Sequence, residues 1–161
     1  MLTHIISRLT FAAVPLTAAL FFGPPSIKVV LVTDRAAAPT PGAVLDVTAQ
    51  HHVEGEPLNV TGKMEGLVAG RRITRPLTVT ATATRGRFGV APQWEVGKPW
   101  VLVLTTGMGE HGTAVALVRI GSDGRIAGID SPNSLRAMGK PLPAEAVESE
   151  VKVALGALGA K

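Results

Sequence analysis

Apolar residues recur at every second position over much of this chain. Ala43, Leu45, Val47 and Ala49 alternate with Asp46, Thr48 and Gln50, the period of a strand with one buried face and one in water. Before it, Ser26 to Thr33 (SIKVVLVT) sets Ile27, Val29 and Leu31 on one face and predicts a first strand. After it, Leu58, Val60 and Met64 carry the rhythm on to Val68, and Ala69-Gly70-Arg71 supplies a tight turn. The plainest alternation runs from Thr74 to Thr84, where Leu77, Val79, Ala81 and Ala83 oppose Thr78, Thr80, Thr82 and Thr84. It predicts one strand with a threonine-covered wet face, and Pro76 places its start at a sheet edge or bulge.

The segment Arg85 to Thr106 reads as the central strand pair, with a corner between its two halves. Phe88 and Val90 lie in the first half, Pro92 interrupts the ladder, and Val96-Gly97-Lys98-Pro99 turns the chain before Trp100, Leu102 and Leu104 resume period two. Both tryptophans and the only phenylalanine beyond the amino-terminal leader fall here, so Trp94 and Trp100 are expected as core or near-core anchors. Thr113 to Ile120, the turn Gly121-Ser122-Asp123-Gly124, and Arg125 to Ile129 predict a hairpin. Beyond Pro141 and Pro143 the period changes. Val147, Val151, Ala154, Leu155 and Leu158 share one side at helical spacing, with acids in the first turns where the helix dipole favours them. The expected architecture is mainly β. It is a single antiparallel sandwich over residues 26–130, then a loop and a carboxy-terminal amphipathic helix over 131–161.

The first 25 residues are of another kind. Arg8 is their only fixed charge, and Thr10 to Phe22 is an uncharged apolar run closed by Gly23-Pro24-Pro25. This order predicts a signal peptide or an amino-terminal anchor helix, hence a secreted or periplasmic protein with membrane proximity through that segment. The chain has no cysteine, so an exported fold would rest on its core without disulfides. A net charge of +4, about +3 without the leader, is a solubility charge and not a nucleic-acid footprint.

Two groups of residues resemble a known family. Val30-Leu31-Val32-Thr33-Asp34 followed by Pro39-Thr40-Pro41-Gly42-Ala43-Val44-Leu45-Asp46-Val47 is similar to the opening of carboxypeptidase-regulatory-like and transthyretin-like domains. Gly86-Arg87-Phe88 and Gly97-Lys98-Pro99-Trp100-Val101-Leu102 resemble their later glycine–aromatic pieces. Ala37 and Thr40 depart from the pattern, and the last third of the chain is not covered. The resemblance implies an immunoglobulin-like β-sandwich used for binding or as a spacer, with no shared functional residues.

Candidate chemistry is sparse. His51, His52, Met108 and His111 form a soft and borderline ligand set that would suit copper in an exported carrier. Adjacent His51 and His52 would face opposite ways on a strand, and Met64 is in phase with the core. Arg71, Arg72 and Arg75, with Arg85 and Arg87, could form one basic patch for an anionic surface such as phospholipid headgroups, or serve as charges that protect sheet edges. Gly107 to Gly112 lacks the ending of a phosphate loop and reads as a hairpin loop. There is no Gly-x-Ser-x-Gly elbow. Only acids that meet in space, drawn from Asp46, Glu65, Glu95, Asp123 and Asp130, would support a small hydrolase. The expectation is an exported, non-catalytic accessory or binding module without a cofactor, its partner a protein or small ligand. A periplasmic copper carrier is the alternative.

Overall fold

The computed structural model describes residues 25–50, 59–107 and 112–159. Strand β1 (Ser26–Leu31) is followed by a short 3₁₀ turn, Arg35–Ala37, and pairs antiparallel with β2 (Leu45–Gln50). Next come β3 (Val60–Val68) and β4 (Arg71–Leu77), joined by a two-residue turn in which Ala69 has φ +48° and Gly70 φ +75°. Two positive φ values match the right-handed twist of the flanking strands. The chain continues through β5 (Thr80–Ala81), β6 (Arg87–Val90), β7 (Trp100–Gly107), β8 (Gly112–Ile120), β9 (Ile126–Asp130) and β10 (Arg136–Met138) to the helix α1 (Ala144–Gly159).

These strands build two antiparallel sheets. One has the order β1-β2-β6-β5. The other has the order β10-β8-β7-β3-β4, with β9 also paired to β8. Successive hairpins therefore alternate between sheets, and the sheets pack in a sandwich-like arrangement. Ile27, Val29, Leu45, Val47, Phe88 and Val90 from one sheet meet Met64, Trp100, Leu102, Leu104, Ala116, Val118 and Ile120 from the other. The even-numbered residues of β7 thus face the sandwich core. Its odd-numbered ones, Val101 and Val103, join Val115 and Leu117 of β8 against Leu135, Val151, Ala154 and Leu155. That second core lies between the larger sheet and α1. Strands β7 and β8 are apolar on both sides, so they read in the sequence as nearly unbroken runs.

Three expectations are corrected. Thr74 to Thr84 is not one strand. Its first part is β4 in the larger sheet, Thr78 and Val79 make the crossing, and Thr80–Ala81 joins the smaller sheet. The Gln93 side chain stands in for a strand neighbour at the crossing, accepting from Thr78 N at 2.8 Å and donating to Thr78 O at 2.8 Å. Likewise, the two halves of Arg85 to Thr106 do not pair with each other. Strand β6 lies between β2 and β5, and β7 lies between β8 and β3 in the opposite sheet. The corner between them carries the chain across the sandwich. The stretch expected as loop after residue 130 also contains β10, which pairs with the start of β8.

Candidate functional site

A cleft of about 720 Å³ opens at one end of the molecule, where the sheets part. Leu31 and Val32 at the end of β1, Arg35 of the 3₁₀ turn, and Ala43 and Val44 before β2 form the wall on the smaller sheet. Pro92 and Trp94 of the corner, with Gly124, Arg125 and Ile126 around the β8–β9 turn, form the other. Each wall is held by local bonds. Asp34 caps the 3₁₀ turn by accepting from Ala36 N at 2.8 Å, and Val32 N donates to Val44 O at 2.9 Å. Opposite, the Trp94 indole N–H donates to Gly124 O at 2.9 Å, and Gly97 N donates to Ser122 O at 2.6 Å. Gly124, at φ +77°, has Val96 only 2.9 Å from where a side chain would begin. This position is thus closed to other residues both by its backbone and by its neighbour.

The cleft is lined mainly by apolar groups, with Trp94 half-buried in its wall. Leu31 in its lining is 50% exposed, an apolar side chain half open to solvent. Its charged lining residues are Arg35 and Arg125, both exposed and without an acidic partner among the described residues. Asp34 and Asp123 are their chain neighbours, but each spends a carboxylate oxygen on a turn N–H and neither lines the cleft.

The arginines singled out in the sequence are divided. Arg72 is on the helix side of β4, bonded to Glu65 at 3.0 Å and to Glu148 of α1. Arg71 and Arg75 alternate to the sandwich side, where Arg75 bonds Glu95 at 2.7 Å and lies 5.3 Å from the centre of the Trp100 ring. Arg87 is in the other sheet, paired with Asp46 at 2.7 Å, and Arg85 precedes it in the turn. The sequence-level candidates Arg71, Arg72 and Arg75 therefore share a strand but not a face. His51, His52, Met108 and His111 lie outside the described residues, and Met64 is in the core. Among the described residues no group of three or more His, Cys, Asp or Glu side chains is placed to hold a metal ion. No described helix is long and apolar enough to cross a membrane.

Of the acids left unassigned by the sequence, Asp46, Glu65, Glu95 and Asp130 meet bases and not one another, while Asp123 accepts from the Arg125 backbone N–H. Asp46 meets Arg87, Asp130 meets Arg119 at 2.9 Å, and Glu95 meets Arg75 and Lys98. The bonds from Lys98 and Arg75 lower the Glu95 carboxyl to about 2. Glu65, only 1% exposed, sits under α1 with Lys63 at 2.7 Å and the Thr74 hydroxyl at 2.8 Å. Burial alone would raise its pKa, but the bonds from Lys63, Thr74 and Arg72 outweigh that and hold it below the ordinary carboxylate value. These acids thus brace the fold.

Sequence reasoning missed the cleft because Leu31, Arg35, Trp94 and Arg125 come from three separate segments. The available signals were turn chemistry on both sides, Asp34 to Gly42 and Ser122-Asp123-Gly124, beside an aromatic residue in a corner. Compared with known proteins, the chain matches no family model, no curated protein and no solved structure.

Proposed function

We propose that this chain is an exported, non-catalytic binding module, an immunoglobulin-like or transthyretin-like sandwich whose end cleft takes a small apolar ligand. The cleft carries this reading. Its volume of about 720 Å³ falls within the ~300–1,000 Å³ of small-molecule sites, which are apolar with a few placed polar groups. The ion pairs that occupy Asp46, Glu65, Glu95 and Asp130 support binding over acid–base catalysis, and the apolar leader supports export.

The test is a fluorescence titration of the full chain with N-phenyl-1-naphthylamine, a neutral apolar probe. Saturable binding at one site is expected, with a change in Trp94 emission that disappears in Trp94→Phe. Ala38 lines the cleft and is partly exposed, so Ala38→Trp should fill the space and abolish probe binding without lowering the thermal midpoint. Unsaturable binding, or unchanged affinity in the folded Ala38→Trp variant, would overturn the proposal.

A further inference from the structure

A cleft built only to hold hydrocarbon has no use for two cations at its border. Among the described residues Arg72, Arg75, Arg87 and Arg119 each have a carboxylate at 3.0 Å or closer, and Arg71 and Arg136, which do not, stand outside the cleft. Arg35 and Arg125 have none among the described residues, and they stand on opposite walls of the same cleft. Guanidinium groups present forked donors that match the two oxygens of a carboxylate, a stronger bond than one between neutral groups. Apolar walls between two unpaired forks fit a molecule with hydrocarbon at one end and an acid at the other.

Resting on the binding role proposed above, we infer that the cleft takes a free amphipathic carboxylate, its hydrocarbon against Leu31, Val44 and Trp94 and its acid group between Arg35 and Arg125.

The experiment displaces N-phenyl-1-naphthylamine from the full chain with decanoate or 1-decanol, at equal chain length and low salt. Decanoate should displace it at a concentration lower by about tenfold, the scale of one charge-assisted contact. That advantage, read as the ratio of acid to alcohol within each variant, should shrink in Arg35→Gln and in Arg125→Gln. Both side chains are exposed and unpaired, so these variants should fold as the parent does. Equal displacement by acid and alcohol would overturn the carboxylate inference and leave the apolar binding site standing. Absence of probe binding would remove both. Vesicles of phosphatidylglycerol that bind the chain through Arg35 and Arg125, while decanoate displaces nothing, would also overturn it by assigning the arginines to a lipid surface.

Discussion

Gly66 and Trp100 face each other across β3 and β7, and a methyl group on Gly66 would come within 2.6 Å of the indole. The glycine is the space in which the largest side chain of the core lies. Trp100 is fully buried and its N–H reaches Glu95 O at 3.2 Å, so the ring has little freedom to retreat. Gly66→Ala should destabilise the fold by about 1–3 kcal/mol through overpacking, measured by urea denaturation; an unchanged midpoint would show that the ring moves. Ala69 is the opposite case, a residue with a side chain in a left-handed position at φ +48°. Ala69→Asn makes the Asn-Gly pair this turn geometry prefers and should raise stability by about 1 kcal/mol in the same assay. Acid should act through Glu65 and Glu95. Both have folded values below the ordinary 4.5, Glu95 at about 2. Their contribution is therefore complete above pH 4.5 and is lost as pH falls towards the folded values. A thermal midpoint that drops below pH 4.5 is expected, and Glu65→Gln with Glu95→Gln should flatten that drop; an equally steep fall in the double variant would refute the assignment.

At the scale of elements, α1 seals the face of the larger sheet that the sandwich core leaves uncovered. Val151 is fully buried there among Val101, Val103, Val115 and Leu117, and Arg72 ties the sheet to the helix through Glu65 and Glu148. Val151→Asp buries an unpaired charge and should release the helix, read as loss of far-ultraviolet helical signal and gain of dye binding; retained helix and no dye binding would place the seal elsewhere. Strand periods were legible because burial on one face imposes period two, as in Leu45, Val47 and Ala49. The helix was legible for the same reason at its own spacing. What alternation does not encode is which sheet a strand joins. From Leu77 to Ala83 the pattern continues through Thr78 and Val79 even though the hydrogen-bonding neighbours change from β3 to β6. The cleft escaped for a related cause. Arg35 and Arg125 are 90 positions apart, and their lining one cleft depends on two sheets packing, which no local pattern records.

For the molecule as a whole, the cleft belongs to both sheets, so a ligand seated in it should oppose their separation. Decanoate at a hundred times its dissociation constant should add about 2.7 kcal/mol to folding stability, seen as a raised thermal midpoint that Ala38→Trp abolishes. No shift in the parent would mean that the acid binds outside the cleft or equally well to the unfolded chain.

The bonds from Trp94 to Gly124 and from Gly97 to Ser122 fasten a corner from one part of the chain to a hairpin turn from another. With that side locked as one body, the mouth resembles a fixed gauge that resists extra girth. A branched acid should accordingly bind more weakly than the straight-chain acid of equal carbon number.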